Sequence, residues 1–180
     1  QAGVEGSGAL TARAEEAIAT AMPGRVAIVR PGLIVGPHDP TGRFTYWPLR
    51  LARGGRVLAP GRPQRPVQWI DVRDLAAWCV HLAEQRVAGV FNAVASGATM
   101  GQLLTTCAAA GQASQLNWVP DQQLVDAGVS PWTELPLWIA EDDAAFGGML
   151  LADNGRALRA GLVVRPLEDT VAATLAWAQQ

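Results

Sequence analysis

Short apolar runs, closed at both ends by proline and glycine, alternate along this chain with segments of helical character. Residues 25–30 (RVAIVR) form such a run between Pro23-Gly24 and Pro31-Gly32. The run is rich in β-branched residues and does not alternate apolar with polar positions, which is typical of a strand buried on both faces of a parallel sheet. Residues 10–22, just before it, place their apolar side chains on one helical face. A helix that leads directly into a buried parallel strand is the second half of a βαβ unit, so the pattern predicts an α/β fold.

The same alternation continues to the end of the chain. Asp71 and Thr99 have side chains that cap helix N-termini, and Pro166 suits a first helical position because two acidic residues follow it. Residues 129–152 show no periodicity and are predicted to be an irregular, packed loop. Further strands are predicted at residues 33–35, 57–59, 67–70, 89–94 and 115–119. Further helices are predicted at residues 44–53, 72–86, 100–110, 120–128, 155–160 and 166–180.

Length and charge exclude several classes of protein. The 180 residues are 49% hydrophobic and 17% charged, which indicates one globular domain with a sizeable core. The net charge of -2 does not suit a nucleic-acid binder, which needs a basic face. All 14 basic residues are arginine, so neither a Schiff-base lysine nor a P-loop lysine is available.

Cysteine, histidine and hydropathy patterns predict neither a metal site nor a membrane protein. Cys79 and Cys107 lie in apolar helical segments, where small buried side chains are expected, and their spacing suggests no disulfide. His38 and His81 lack a nearby cluster of further metal-ligating residues. No apolar run approaches the roughly 18 residues of a membrane span. Residues 1–22 lack the pattern of a signal peptide, so a cytoplasmic protein is expected.

The N-terminal segment offers two weak chemical motifs. Gly3, Gly6 and Gly8 precede a helix as in a dinucleotide-binding loop, but such a loop needs a buried strand before it. A loop or ragged start is the simpler interpretation of residues 1–8. Ser7 and His38 could serve acyl hydrolysis only within hydrogen-bond reach of each other, and the strand-to-helix elbow of such enzymes is absent from the sequence.

Two longer motifs, in a fixed order, indicate a family. Residues 30–37 (RPGLIVGP) match the pattern R-P-x-x-[VI]-x-G-P, and residues 69–76 (WIDVRDLA) are similar to [FY]-[VI]-[DH]-V-x-D-[LV]-A. With the strand GVFNAV that follows, residues 7–178 resemble the C-terminal part of the extended short-chain dehydrogenase/reductase family. That family includes the NAD-dependent epimerases and dehydratases.

The resemblance implies roles for particular residues. Asp71 is expected to act mainly as a helix cap and as a link between the sheet and the substrate subdomain. The backbone segment expected to face the nicotinamide ring of NAD or NADP comprises Pro31, Gly32, Leu33, Ile34 and Val35. The side chains expected to line the substrate pocket are Tyr46, Trp47, Gln68 and Arg73. No metal is implied.

The chain also departs from the family. The family's catalytic Y-x-x-x-K motif on the preceding helix aligns with Ser7 and Thr11, which supply neither a phenol nor a charge. The first βαβ units, with the glycine loop that binds the pyrophosphate, have no counterpart in these 180 residues. Three interpretations stay open: a fragment of a longer protein, one half that pairs with a second polypeptide, or a degenerate relative that dimerises.

The predicted fold is α/β, the C-terminal part of a Rossmann-like parallel sheet plus a small α/β substrate subdomain. The single domain divides into a loop or ragged start (1–8), a Rossmann-like remnant (9–37 and 67–95), a substrate subdomain (38–66 and 96–165) and a C-terminal helix (166–180). The predicted function is that of an NAD(P)-dependent oxidoreductase or epimerase-type protein, or its substrate-side part, acting on a nucleotide sugar or carbonyl metabolite. The alternative is a catalytically silent binding module. Expected partners are a small-molecule substrate and either an N-terminal half or a second copy of the chain, with neither nucleic acid nor membrane.

Overall fold

The computed structural model describes residues 7–180, with the side chains of Ser7 and Ser96 left aside. Within this range the chain forms an α/β fold, as the alternation predicts. The strands are β1 (Ala27–Pro31), β2 (Ile34–Val35), β3 (Gly55–Pro60), β4 (Pro66–Asp71), β5 (Gly89–Ala93), β6 (Ala95–Thr99) and β7 (Ser114–Val119). The helices are α1 (Ser7–Ala21), α2 (Tyr46–Ala52), α3 (Val72–Glu84), α4 (Met100–Ala109), α5 (Asp121–Asp126), α6 (Gly155–Arg159) and α7 (Leu167–Ala178).

Both predicted helix caps are confirmed. The Asp71 carboxylate accepts a hydrogen bond from the Arg73 backbone N–H at 2.9 Å and begins α3. Thr99 begins α4 with a reciprocal capping box, in which its hydroxyl accepts from the Gln102 N–H and the Gln102 side chain accepts from the Thr99 N–H. Strand β6 was not predicted, because its small residues have little strand propensity and antiparallel pairing with β4 holds it in place.

The described strands form three small sheets, whereas the sequence predicted part of a single parallel sheet. β1 pairs in parallel with β5, from Ala27 opposite Gly89 to Pro31 opposite Ala93. β2 pairs in parallel with β4, which also pairs antiparallel with β6, and β3 pairs in parallel with β7. The strand segments β1 and β2 follow one another closely, so the chain changes partner from β5 to β4 within a few residues.

Two hydrophobic clusters hold these layers together. The larger one packs α2, α4 and α7 against the β3–β7 and β4–β6 sheets and contains Trp47, Phe44 and Trp138 with no exposed surface. The smaller one lies between α3, β5 and α6, with Trp78 edge-on to Phe91 at 5.6 Å. The cavity described below is lined in part by residues of the larger cluster, Leu33, Trp132 and Leu150.

The prediction that the first strand is buried on both faces is wrong. Ala27, Arg30 and Pro31 of β1 are exposed, because β1 pairs with β5 alone among the residues described. α1 is also exposed along nearly its whole length, with Leu10 at 55% and Ile18 at 49% of their full surface. A parallel strand and an apolar helix normally pack under further layers, so this side of the molecule presents an uncovered apolar surface.

The two cysteines, both predicted to be buried, differ from each other in exposure. Cys107 is buried in the larger cluster, as predicted, and burial raises the pKa of its thiol to about 12. The prediction that Cys79 is buried is wrong: its side chain is exposed, because it borders an open hollow between α3 and β1 that Leu82 also lines. None of the helices within residues 7–180 is long and apolar enough to cross a membrane.

Candidate functional site

A cavity of about 350 Å³ lies where the chain changes partner between β1 and β2. The Gly32 N–H donates to the Ala93 carbonyl at 3.2 Å, while the Leu33 carbonyl accepts from the Ile70 N–H at 2.8 Å. β5 and β4 therefore diverge on either side of this turn and leave a crevice between Gln68 of β4 and Val94, which follows the end of β5. Crevices at such points are the usual ligand sites of open α/β sheets.

Gly32 is required by the close approach of β1 to the residue after β5. A Cβ atom at position 32 would lie 2.7 Å from Cγ1 of Val94, which is closer than atoms pack without a shift. Pro31, Gly32 and Leu33 all line the cavity, and at Gly32 the backbone itself forms the wall. Of the five residues predicted to face nicotinamide, the structure brings these three together.

The loop that closes the cavity is held by amide side chains. Gln68 donates from Nε2 to the Ala152 carbonyl at 2.9 Å and accepts at Oε1 from the Ala152 N–H at 2.8 Å. Asn92 donates to the Asp153 carbonyl at 2.9 Å, and Asn154 donates to the Val94 carbonyl at 2.7 Å. Residues 149–154, here called the strap, are thereby attached to β4 and to the β5 end. Gln68 lines the cavity as predicted, but its amide already binds the strap.

Apolar side chains form most of the remaining wall: Leu33, Val94, Trp132, Met149 and Leu150. Trp132 has a φ of 66°, a left-handed conformation that a bulky residue rarely adopts. Its backbone N–H donates to the Trp138 carbonyl at 3.0 Å, which fixes its position. The guanidinium of Arg43 lies 5.8 Å from the centre of its ring. Strain of this kind is concentrated at functional sites.

Arg30 is the one lining residue with a formal charge in the part of the chain that the structure describes, and Glu15 of α1 pairs with it. The Arg30 guanidinium donates from Nε to both Glu15 carboxylate oxygens at 3.1 Å and from Nη2 to one of them at 2.5 Å. Hydrogen bonding to Arg30 holds the pKa of Glu15 below its ordinary value and, reciprocally, raises the pKa of Arg30. This pair connects the exposed α1 to the rim of the cavity.

Four predicted site residues lie away from the cavity wall. Ile34 and Val35 continue into β2, where Val35 is buried in the larger cluster. Trp47 is fully buried, and its indole N–H donates to the Pro136 carbonyl at 3.0 Å. Tyr46 is 37% exposed and packs edge-on against Trp47 at 4.9 Å. The roles predicted for these residues stay predictions.

Arg73, also predicted to bind substrate, belongs to a different cluster. It donates from Nε and Nη2 to the Asp71 carboxylate at 2.9 and 2.7 Å, and Thr170 of α7 donates to the same carboxylate at 2.9 Å. Burial by itself would raise the pKa of Asp71, but the hydrogen bonds from Arg73 and Thr170 and the charge of Arg165 outweigh burial and lower it. The cluster joins β4, α3 and α7, so the structure gives Arg73 a packing role outside the cavity.

The positions aligned with the family's catalytic pair lie on α1. Thr11 is exposed there, and the Ser7 side chain lies outside the described residues, as do Gly3 and Gly6. His38, the other member of the hydrolysis hypothesis, packs against Trp177 of α7 with ring centres 5.5 Å apart. The described residues therefore leave the hydrolysis hypothesis untested.

Sequence reasoning missed seven lining residues: Arg30, Asn92, Val94, Trp132, Met149, Leu150 and Ala152. Asn92 carried a usable signal, since it is a polar residue inside the apolar run GVFNAV. A polar side chain in a buried strand requires a hydrogen-bond partner, and here the partner is the strap. Trp132 and residues 149–152 of the strap gave no such signal, because they belong to the irregular segment 129–152.

The structure is a partial Rossmann-like α/β fold in which two strands diverge beside an apolar crevice. Several solved structures share this fold. A human epimerase family protein (isoform 2) with NADPH is 26% identical, has a TM-score of 0.56 and aligns over 87% of this chain and 49% of its own. RMD from Pseudomonas aeruginosa, complexed with NADPH, is 16% identical with a TM-score of 0.61 over 95% of this chain and 54% of its own. UDP-glucose 4-epimerase from Thermotoga maritima, with UDP-glucose, is 17% identical with a TM-score of 0.61 over 94% of this chain and 51% of its own.

These similarities confirm the predicted resemblance at the level of fold. The chain has the fold of the C-terminal part of NAD-dependent epimerase and short-chain dehydrogenase/reductase structures. It spans about half the length of the solved structures that it matches. No family model and no curated protein matches it.

Proposed function

We propose that this chain is the substrate-side part of an NAD(P)-dependent oxidoreductase or epimerase-type protein that acts on a nucleotide sugar or a carbonyl metabolite. One observation carries the proposal: the cavity lies where β4 and β5 diverge, with the bare backbone of Gly32 in its wall. Solved neighbours with NADPH bound share the fold over nearly all of this chain.

The nicotinamide end of the dinucleotide fits the residues present. At Gly32 a flat ring can approach the main chain, because no side chain intervenes, and Pro31 and Leu33 flank it. When bound, the dinucleotide supplies hydride transfer. The chain's own part is to position the ring and to exclude water from the reacting carbonyl with the side chains of Leu33 and Val94.

The rest of the dinucleotide calls for further polypeptide, which an N-terminal part of the same protein or a separate partner would supply. The exposed edge of β1 and the exposed α1 suit a polypeptide that continues the parallel sheet, covers both of its faces and carries the glycine-rich loop. Hollows flank β1 on either side: about 920 Å³ beside Ala27 and Val29, and about 290 Å³ beside Val26 and Ile28. A second copy of the chain is the other candidate, and the mass in solution distinguishes the two.

A catalytically silent binding module is the second candidate function. The sequence contains no lysine, and Thr11 stands where the family has one, so α1 brings no phenol–ammonium pair to assist proton transfer. A silent module would bind the nicotinamide end yet leave it unreacted.

The test titrates three probes into the 180-residue chain and follows the backbone amide of Gly32 by NMR. NADPH and reduced nicotinamide mononucleotide should shift it equally, with a Kd of about 1 mM, since only the nicotinamide end meets this chain. ADP-ribose should leave it unchanged. Gly32→Ala should abolish binding, while Gly8→Ala, which has open space around it, serves as the matched control.

Two results would overturn the proposal: no shift at Gly32 with either nicotinamide probe, or a shift with ADP-ribose alone. With binding established, loss of absorbance at 340 nm in the presence of an added carbonyl compound distinguishes the enzyme from the silent module. Analytical ultracentrifugation of the same sample shows whether the chain self-associates.

A further inference from the structure

The charges around the cavity restrict what it can hold. Among residues 7–180, Arg30 is the only lining residue that carries a charge, and Glu15 pairs with it through three hydrogen-bond contacts. Gln68 and Asn92 are the remaining polar side chains in the wall, and both are bonded to strap backbone. A diphosphate placed here would lose its hydration, and the described lining residues offer it no cation other than the Glu15-paired Arg30. The guanidinium of Arg43, the next cation, lies against the Trp132 ring, 5.8 Å from its centre.

By contrast, the apolar residues of the cavity wall are held in position by the fold. Trp132 is half-buried, and its backbone bond to Trp138 maintains its strained conformation. Leu33 and Leu150 are further apolar lining residues of the same cavity. A flat apolar group packed on an indole ring gains both burial and ring contact.

We infer that the cavity takes an uncharged carbonyl compound with a flat apolar body, packed against Trp132, and that a nucleotide diphosphate sugar is not its substrate. This inference rests on the proposed function, because it treats the same cavity as the substrate pocket. It makes Trp132 a specificity-determining residue that touches the substrate, and Gln68 and Asn92 positioning residues that act through the strap.

A matched set of small probes tests the inference on the full chain. Acetophenone and benzoate share a ring and differ in charge, and UDP-glucose represents the nucleotide sugars. The indole N–H resonance of Trp132 and the backbone amide of Ala152 report on the cavity. We expect acetophenone to shift both resonances, with benzoate at least about tenfold weaker and UDP-glucose without effect.

Variants separate a flat contact from simple apolar filling. Trp132→Phe keeps a ring and should retain acetophenone binding, whereas Trp132→Leu should weaken it by about tenfold as read from the Ala152 amide. Trp118→Phe, at a half-buried tryptophan of β7 outside the cavity, is the control. Circular dichroism of each variant verifies that it is folded.

Three outcomes would overturn the inference: UDP-glucose or benzoate shifts the Trp132 indole as strongly as acetophenone, acetophenone shifts neither reporter, or Trp132→Leu binds as well as the wild type. In each case the proposed function is judged separately by the shift at Gly32 with reduced nicotinamide mononucleotide. A shift there with failure at Trp132 rejects the substrate class alone.

Discussion

Replacing Gln68 with alanine should loosen the strap while leaving most of the fold intact. The side chain makes two hydrogen bonds to the backbone of Ala152, at 2.8 and 2.9 Å, and is itself buried. Each such bond contributes about 1 kcal/mol net, so the variant should lose about 2 kcal/mol. Ala152 is half-buried, and water will replace part of the lost bonding. Gln68→Glu should be at least as harmful at neutral pH, because a carboxylate would face the Ala152 carbonyl.

Urea unfolding measures the loss of stability, and hydrogen exchange locates it. If the strap opens independently, the Ala152 amide should exchange about 30-fold faster in Gln68→Ala than in the wild type. Gln115→Ala, at an exposed glutamine of β7, is the matched control and should change neither quantity. Equal unfolding free energies for the two variants, with unchanged exchange at Ala152, would refute the assignment of Gln68 as the residue that holds the strap.

Three further predictions concern other parts of the molecule. Because the folded-state pKa of Asp71 is lowered, the stability advantage of the wild type over Asp71→Asn should be full above about pH 4 and shrink as the pH falls through that pKa, as urea unfolding at several pH values will show. A thiol reagent should modify exposed Cys79 rapidly in the native protein and reach buried Cys107 only after unfolding; two fast equivalents would contradict this. Gly111→Ala should lower the unfolding free energy by about 1–3 kcal/mol, because its Cβ would lie 2.5 Å from Cα of Ala52; an unchanged thermal midpoint would contradict it.

Local signals in the sequence were sufficient for most of the elements. The predicted helices and strands all occur, with ends that differ by a few residues. Asp71 and Thr99 cap their helices as predicted, because a cap needs only a side-chain oxygen and the amides of the next turn. β6 lay beyond such reasoning, since its strand conformation depends on β4, about thirty residues earlier in the chain.

The site residues were predicted less completely than the helices and strands, because most of them contact residues that are distant in the sequence. Pro31, Gly32 and Leu33 were found because one contiguous motif contains them. Trp47 and Arg73 were predicted to line the substrate pocket. The fold buries Trp47 in the core and places Arg73 in the cluster around Asp71.

By itself, the amino-acid sequence determined the α/β alternation, the helix caps and the resemblance to half of a dinucleotide-dependent family, because each depends on neighbours within a few residues. Only the tertiary structure decided where β4 and β5 diverge, that Gln68 binds the strap, and that Trp132 forms a wall of the cavity. Most of these contacts join distant parts of the chain, as between Gln68 and Ala152, which are 84 positions apart. Such pairs form only when the whole chain packs, so no local pattern in the sequence records them.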